Sequence, residues 1–369
     1  MRVLHVLNEL RPSGAETMLS VAAPHWARAG IVTTVLSTGA EEGVFAEVFR
    51  KQGVRVIHLP FRRHPRYFLK LFHLLREERP DVVHLHPERA SVWMAATARL
   101  ARVPGVVRTV HHIFEFDGLL RFKRTIGRFL LSKLLGVLMV TNSPTNLNNE
   151  VRRFKYRPQL IPNWYDEGAF VPPSLEFRDE SRRTFRIAPE SVAIATLGGC
   201  AIYKNHDLLI QALANVPDSR FTYLHIGLED SGHSERRLAE RLGVGQQVYF
   251  LGPVDDAVTA LAAADVFMMP SSAEGFGIAA VEAIATGIPA VLADVPCLSD
   301  LRTVSSDVIW IQPTVKQLTT FLLGVSNGQQ RLERGKLPAS FDAYRSYEGA
   351  AAYAALYRTF ESPSQPGKR

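Results

Sequence analysis

Short runs of β-branched and aliphatic residues alternate with amphipathic segments along almost the whole chain. This alternation is typical of repeated βαβ units, in which helices cover both faces of a parallel sheet. It stops once, after residue 161, and restarts near residue 192. The predicted strands are Val3–Leu7, Val32–Leu36, Val54–Leu59, Val82–Leu85, Val106–Val110, Leu138–Thr141 and Gln159–Ile161, then Val192–Leu197, Thr222–Ile226, Val248–Phe250, Val266–Met269, Ala290–Leu292 and Val308–Trp310. The pattern therefore predicts two doubly wound α/β domains.

The interruption marks the expected domain boundary. Residues 162–189 are rich in proline and charge, a composition typical of a linker between compact units. A chain of 369 residues is also more than twice the roughly 150-residue modal domain. We expect an N-terminal domain at residues 1–168, a C-terminal domain at residues 169–343 and a final helix at about 344–360.

Composition restricts the class of protein. Hydrophobic residues make up 46 % of the chain and charged residues 21 %, which is typical of a folded globular protein. The most apolar stretch, residues 129–140, contains Lys133 and is shorter than the about 20 residues that a bilayer span needs. The first residues resemble a buried strand rather than a signal peptide. Two cysteines, Cys200 and Cys297, form no disulfide framework and favour a reducing compartment, so we expect a cytoplasmic protein.

Positive charge is concentrated in the front half. Residues 1–170 carry 25 Lys and Arg against 14 Asp and Glu, a net +11, while the remainder carries 18 against 22, a net −4. This suggests an anionic partner, either a membrane surface or a phosphorylated acceptor, and a solvated arginine-rich surface is an equal alternative; no nucleic acid is expected. The segment 121–135 mixes cations with large apolar residues at helical spacing. Such a helix can lie in a membrane interface, although packing of its Leu/Phe stripe in the core is the more frequent explanation. Its cations include Arg121, Lys123, Arg124 and Arg128.

The strongest site signal directly follows the predicted strand Val266–Met269. Gly275 and Gly277 allow close backbone approach to a ligand at a helix N-terminus, where free amides favour negative charge. Glu274 precedes this turn, and Glu282 follows eight residues later, about two helical turns on and thus nearly on the same helix face. Two carboxylates around a glycine bend suit a ligand with hydroxyl groups at both ends.

The same segment also fits a dinucleotide fingerprint. Gly275, Gly277 and Ala280 match its glycine spacing, and Asp294 ends the next strand, so an NAD-dependent oxidoreductase is an alternative. Two features oppose it. The first glycine comes several residues after the strand, and Glu274 would place a carboxylate beside the pyrophosphate.

Two further loops follow predicted strands. Gly198 and Lys204 form a glycine turn with a lysine that can reach a diphosphate. An exposed loop lysine is the commoner outcome for this pattern alone, and the Glu274–Glu282 segment makes it informative. Ser13, Gly14 and Glu16 follow the first strand, where either a ligand-binding turn or an ordinary helix cap is expected.

Histidines cluster at strand ends of the front half. His84 and His86 follow one strand, and His111 and His112 follow the next. Neither pair has a cysteine or carboxylate at metal-ligand spacing, so no metal site is predicted. His111 is expected to form hydrogen bonds with a sugar hydroxyl or phosphate.

On these residues the chain resembles the retaining GT-B glycosyltransferases of group 1 (family 4), which build bacterial polysaccharides and glycolipids. The matching segments are the Ser13–Glu16 loop, Thr109–His111, Pro162–Asp166, the Gly198–Lys204 loop and Glu274–Glu282. The resemblance implies two Rossmann-like domains facing across a cleft, the first for the acceptor and the second for a nucleotide-sugar donor. The last helix would pack back on the first domain.

The resemblance also implies a role for each motif. Glu282 would hold the ribose, Lys204 the diphosphate and Glu274 the donor-sugar hydroxyls. The amides of Phe276 and Gly277 would contact the sugar or phosphate. The other implied positions are Gly198 and Gly275 around the donor, and Ser13, Gly14, Glu16 and His111 near the reacting centre.

The implied activity is a retaining, metal-independent and cofactor-free transfer of a sugar to a lipid-linked or polysaccharide acceptor, peripheral at the inner face of the membrane. A soluble small-molecule acceptor, the NAD-dependent oxidoreductase and a non-catalytic sugar-binding protein are the alternatives. Three positions depart from the family pattern. Gly199 stands where arginine is usual, and Ser13 and Trp164 stand where glycine is usual.

Overall fold

The computed structural model describes residues 1–252, 257–303, 305, 307–337 and 339–361. The chain divides into two compact units. Unit 1 contains Met1–Trp164 and the residues from Ala343 on, and unit 2 contains Tyr165–Asp342. The boundaries therefore lie four residues and one residue before those expected from the sequence.

Within the described residues, unit 1 has a seven-stranded parallel sheet. Its order in space is β3-β2-β1-β4-β5-β6-β7. The order reverses between β1 and β4, and α/β sheets bind ligands beyond the carboxyl ends of their strands at such a switch point. The strands are β1 (Arg2–Leu7), β2 (Val32–Ser37), β3 (Arg55–His58), β4 (Val82–Leu85), β5 (Gly105–Val110), β6 (Leu138–Thr141) and β7 (Gln159–Leu160).

Helices cover both faces of this sheet. The central strand β4 is buried at every residue, as expected for a parallel strand between two helix layers. Local signals begin some of the helices: proline occupies the first turn at Pro65 and Pro144, and the Ser143 hydroxyl accepts a hydrogen bond from the Asn146 amide. The helices are α1 (Gly14–Arg28), α2 (Ala46–Lys51), α3 (Pro65–Glu78), α4 (Ser91–Leu100), α5 (Gly118–Phe129), continued by a π-helical turn at Leu130–Leu134, and α6 (Pro144–Phe154).

Unit 2 repeats the plan with a six-stranded parallel sheet in the part that the structure describes. Its order is β10-β9-β8-β11-β12-β13, so the switch point lies between β8 and β11. The strands are β8 (Val192–Leu197), β9 (Phe221–Ile226), β10 (Val248–Gly252), β11 (Val266–Met269), β12 (Ala290–Ala293) and β13 (Ile309–Ile311). The helices are α7 (Leu175–Thr184), α8 (His206–Ala214), α9 (Ser234–Arg241), α10 (Ala257–Ala263), α11 (Ile278–Ala285) and α12 (Val315–Ser326).

The expected linker contains α7, so that prediction is wrong for this part of residues 162–189. Arg178 donates hydrogen bonds to the carbonyls of Ala262 and Ala264, at 2.9 and 2.8 Å, and both Arg178 and Arg182 pair with Asp265. The two arginines, part of the charge that made the segment resemble a linker, instead bind the C-terminal end of α10, where a helix favours cations, and Asp265 just before β11.

The final helix, α13 (Ser346–Arg358), belongs to unit 1 and packs on α1. The Trp26 indole donates to the Ala350 carbonyl at 3.0 Å. Trp164 is fully buried beside it and donates to the Met18 carbonyl at 2.9 Å. A Cβ on Gly349 would overlap the Trp164 ring, so α13 needs glycine there. Trp164, one of the departures from the family pattern, thus packs α13 against the rest of unit 1.

We expect Trp164→Ala to lower the free energy of unfolding by about 3–5 kcal/mol, because it leaves a cavity between α1 and α13. Urea denaturation followed by circular dichroism measures the loss. Trp93→Ala is the matched control, since Trp93 is 67 % exposed on α4 and should change stability by only about 0.5 kcal/mol. Equal losses in the two variants would contradict the role of Trp164.

Candidate active site

Two predicted ligand-binding loops meet at the switch point of unit 2. The loop at residues 198–205 follows β8, and the loop at residues 270–277 follows the neighbouring β11. The Asn205 side-chain amide donates to the Pro270 carbonyl at 2.9 Å, and the Ser272 backbone amide donates to the Tyr203 carbonyl at 2.7 Å. The two loops, predicted separately from sequence, form one surface beyond the carboxyl ends of the strands.

An ion pair joins the charged residues of these loops. Lys204 Nζ lies 2.7 Å from Glu274 Oε1, and the two side chains are only 15 % and 10 % exposed. Gly198 has a φ of +140°, and a Cβ there would lie 3.4 Å from Lys204 Cε. The lysine therefore lies across Gly198. An ammonium has three donors, so Lys204 can hold Glu274 and still bind an anion.

Helix α11 begins directly after this loop. Gly277 caps it with a φ of +86°, and a Cβ there would lie 2.5 Å from Leu298 Cδ2, so the position requires glycine. Gly275 and the buried Phe276 precede it and complete the bend. Because the helix starts at Ile278, Glu274 lies in the loop and not on the helix. The expectation that Glu274 and Glu282 share a helix face is therefore wrong.

Glu282 is a half-buried carboxylate on α11. Burial, and then the charge of Asp166, raise the pKa of Glu282 to about 7. Asp166 Oδ1 accepts hydrogen bonds from the amides of Gly168 and Ala169, at 2.9 and 3.3 Å. Among the residues that the structure describes, the Glu282 carboxylate has no hydrogen-bond or ion-pair partner. Asp166 ends the Pro162–Asp166 segment, but nothing in the sequence indicates that it lies near Glu282, 116 residues later.

The first loop of unit 1 combines a helix cap with a buried acid. Helix α1 begins at Gly14, and the Ser13 hydroxyl donates to the Glu16 carboxylate. Glu16 is buried, and this burial raises the pKa of its carboxyl. Ser13 and Gly14 are exposed at the carboxyl end of β1, whereas Glu16 points back to Ser13 and away from solvent.

A chain of hydrogen-bonded histidines crosses the switch point of unit 1. His5 Nδ1 lies 3.1 Å from His86 Nε2, and His86 Nδ1 lies 2.8 Å from His111 Nε2. Burial lowers the pKa of His111 to about 3, with smaller contributions from His112 and Arg108. His111 is therefore a neutral hydrogen-bonding group at physiological pH. The sequence analysis missed His5 because it lies inside the first strand.

The helix predicted within residues 121–135 is present as α5 and the π-helical turn that follows it, but one of its cations faces inward. Arg121 and Lys123 are exposed and Arg124 is half-buried. Arg128 is 1 % exposed, contacts Glu150 at 2.5 and 2.8 Å and stacks on the Phe154 ring. Its assignment to a membrane or acceptor surface is wrong, because the buried carboxylate pairs with it.

Comparison with known proteins decides the family. Residues 12–168 match the family model described as Glycosyltransferase Family 4, and residues 177–319 match the model described as Glycosyl transferases group 1. The chain belongs to the group 1 glycosyltransferases. This enzyme therefore transfers glycosyl groups, and the prediction of the family is confirmed. The NAD-dependent oxidoreductase and the non-catalytic protein are not retained.

Individual relatives agree with this assignment. EpsF of Bacillus subtilis, named as a glycosyltransferase, is 26 % identical over 309 residues, which cover 79 % of each chain. An Escherichia coli enzyme, named as UDP-Gal:alpha-D-GlcNAc-diphosphoundecaprenol alpha-1,3-galactosyltransferase, is 28 % identical over 243 residues, covering 62 % of this chain and 61 % of that enzyme.

Solved structures confirm the predicted GT-B fold class with its two Rossmann-like domains. Anabaena HepE, crystallised in complex with UDP-glucose, superposes on this glycosyltransferase with a TM-score of 0.75. The match has 20 % sequence identity and covers 98 % of this chain and 97 % of HepE. Within the described part of the chain, no helix has the length and apolar character needed to cross a membrane.

We expect Glu282→Gln to stabilise the enzyme above pH 7. The native state holds a proton on Glu282 up to about pH 7 while the unfolded state releases it near pH 4.5, so this group destabilises the fold as the pH rises through that range. Urea denaturation at pH 5 and pH 8 measures the change, expected to be on the order of 2 kcal/mol at pH 8 and much smaller at pH 5.

Glu190→Gln is the control, because Glu190 is exposed in unit 2. It should change stability equally little at both pH values. A Glu282→Gln variant with the same pH dependence as the parent enzyme would contradict the raised pKa.

Proposed function

We propose that this group 1 glycosyltransferase moves a sugar from a nucleoside diphosphate sugar to a lipid-linked or polysaccharide acceptor in cell-surface glycan assembly, with retention of the anomeric configuration. The observation that carries the proposal is the Lys204–Glu274 pair across Gly198, at the switch point of unit 2. This pair brings together a cation and a carboxylate, the two groups that the proposal assigns to the diphosphate and to the donor sugar.

Relatives support this class of donor. Anabaena HepE was crystallised with UDP-glucose, and the Escherichia coli relative is named for UDP-Gal. The latter name also specifies a diphosphoundecaprenol acceptor, which favours a lipid-linked acceptor over a soluble one. A uridine diphosphate hexose is therefore the first donor to test.

Each part of the unit 2 site has a task in the transfer. Lys204 and the N-terminal amides of α11, helped by the bend at Gly275, Phe276 and Gly277, stabilise the charge that develops on the departing diphosphate. Glu274 accepts hydrogen bonds from the donor sugar. Glu282 accepts hydrogen bonds from the ribose hydroxyls, which gives its half-buried carboxylate the partners it lacks within the described residues.

Retention follows when the acceptor oxygen attacks from the side of the leaving group. The bond between the anomeric carbon and the diphosphate oxygen breaks, and both electrons leave with the diphosphate. The acceptor oxygen bonds to the resulting oxocarbenium-like carbon, and its proton passes to the departing phosphate oxygen. The positive charge of Lys204 and the amides of α11 assist departure, so the proposed chemistry requires no metal ion or cofactor.

We assign acceptor binding to unit 1. Ser13 and Gly14 expose a hydroxyl and backbone amides beyond the end of β1, while Glu16 holds the Ser13 side chain. His111 is neutral, since the pKa of its imidazole is lowered to about 3. It therefore acts as a hydrogen-bonding group toward a sugar or acceptor hydroxyl and not as a cation for phosphate.

The two carboxylates should respond differently to substitution. We expect Glu282→Ala to weaken donor binding by about 1.5–3 kcal/mol, or roughly 10- to 150-fold in Kd. Glu274→Ala should mainly lower kcat, because its contacts to the sugar strengthen in the transition state. Calorimetric titration with nucleotide sugars and steady-state kinetics measure the two effects, with Glu190→Ala as the exposed control. An active double variant with unchanged donor affinity would refute both roles.

The exposed face of α5 favours a membrane surface as the place of action. Phe122 and Phe129 are 62 % and 61 % exposed, beside the cations Arg121 and Lys123. Apolar side chains with flanking cations are typical of helices that lie in the interface of an anionic membrane. We therefore propose that the enzyme works in the cytoplasm, peripherally at the inner face of the membrane.

Replacing Arg121, Lys123 and Arg124 by glutamine should weaken binding to vesicles that contain anionic phospholipid. At about 1 kcal/mol per cation, the three changes should lower affinity by roughly 100-fold. Vesicle co-sedimentation measures the loss. The control replaces three exposed arginines of unit 2, Arg183, Arg237 and Arg241, by glutamine, which removes the same charge. Equal effects of the two triple variants would instead indicate a soluble acceptor or non-specific charge attraction.

A further inference from the structure

Four side chains of unit 2 that can bind metal ions lie close together, next to the loop at residues 198–205. We propose that Cys200, His206, His225 and Glu235 bind one zinc ion. Their ligand atoms, one from each residue, all lie within 4.8 Å of one another. The three residues other than Cys200 are at most 8 % exposed, and Cys200 is half-buried.

The fold brings these residues together from four elements. Cys200 lies in the loop after β8, and His206 is the first residue of α8. His225 lies on β9, opposite Thr196 of the adjacent β8. Glu235 lies in the first turn of α9. Because the ligands are 6, 19 and 10 residues apart, they form no recognisable sequence motif, and the sequence analysis predicted no metal site.

The distances suit a tetrahedral ion after a small adjustment. Zinc bonds of about 2.0–2.3 Å place neighbouring ligand atoms roughly 3.3–3.8 Å apart. His225 Nε2 lies 3.6 Å from Cys200 Sγ and 3.7 Å from Glu235 Oε2, and His206 Nδ1 lies 3.5 Å from Glu235 Oε2. The Cys200–Glu235 and His206–His225 contacts, at 2.9 and 3.0 Å, must widen by about half an ångström.

The donor set also matches the charge and softness of zinc. One thiolate, two imidazoles and one carboxylate supply the S, N and O ligands that zinc accepts. The thiolate and the carboxylate together neutralise a divalent cation, which offsets the free-energy cost of burying its charge inside unit 2. Four protein ligands leave no position for water or substrate. The site is therefore structural and takes no part in the transfer chemistry.

A second cluster in unit 1 does not offer the same chemistry. His5, His84 and His86 also bring ring nitrogens within 4.8 Å of one another. However, His84 uses both of its nitrogens in hydrogen bonds, at 2.7 Å to the Tyr357 hydroxyl and 2.8 Å to the Thr109 hydroxyl. No anionic ligand belongs to this group, so the unit 2 cluster is the better zinc site.

The position of the site suggests what the ion does. Cys200 and His206 stand on either side of Lys204 in the sequence, so one ion binding both would hold the two ends of the turn that carries the lysine. The ion would thereby help to keep Lys204 in contact with Glu274. This consequence for donor binding rests on the proposed function, whereas the zinc site itself does not.

Metal content of the untagged, full-length enzyme tests the proposal. After growth with zinc and extensive dialysis, elemental analysis should find about one zinc ion per chain. Cys200→Ser should lose this ion, and Cys297→Ala, which changes the other cysteine, should keep it. Dialysed protein that holds no zinc, even after incubation with the ion, would overturn the proposal. So would a Cys200→Ser variant that retains it.

Cobalt replacement provides a test that requires no variant. Chelator-treated enzyme titrated with Co²⁺ should develop a thiolate-to-cobalt charge-transfer band and the strong visible bands of a tetrahedral ion. Cobalt binding without the thiolate band would contradict Cys200 as a ligand. Chelation should also lower the Tm and raise the Kd for the donor. If chelation removes the zinc and lowers the Tm but leaves the donor affinity unchanged, the zinc site is supported. Only the inferred effect of the ion on the Lys204 turn is then refuted.

Discussion

The contact between Lys204 and Glu274 depends on the whole architecture of unit 2. The two residues come from loops that follow adjacent strands, and those strands are adjacent only because the strand order reverses between β8 and β11. Gly198 leaves room for the lysine, since its positive φ and missing Cβ let the side chain cross the backbone. A parallel sheet thus brings together two charges that lie 70 residues apart in sequence.

Desolvation shifts the pKa values of buried side chains in both units, in opposite directions for acids and bases. It raises the pKa of Glu282 and Glu16, and it lowers the pKa of His5 and His111. In each case burial disfavours the charged form. The histidines of unit 1 therefore form a neutral hydrogen-bonded chain. The burial of Glu282 lowers the stability of the fold at pH values above the pKa that this carboxyl has in the unfolded chain.

Much of the fold could be predicted because strand signals are local. The predicted bounds of β4, β6, β8 and β11 agree with the structure to the residue, since each is a short aliphatic run between helical segments. The loops with Gly198, Lys204 and Glu274 were also recognised, as glycines and charges directly after strands. The errors concern charged residues. Arg178 was expected in a linker and Arg128 on a membrane or acceptor surface, but Arg178 binds a carbonyl group at the end of α10 and Arg128 pairs with Glu150 inside unit 1.

Local periodicity and residue type were enough to predict two doubly wound halves and the carboxylate–glycine loop, because both depend on neighbours in the chain. Proximity between distant segments was not predictable in this way. Packing alone places Asp166 near Glu282, fits Trp164 against Gly349, and gathers Cys200, His206, His225 and Glu235 into one cluster. The physical reason is that burial and electrostatic coupling act through space, so they depend on which elements become neighbours when the sheets form.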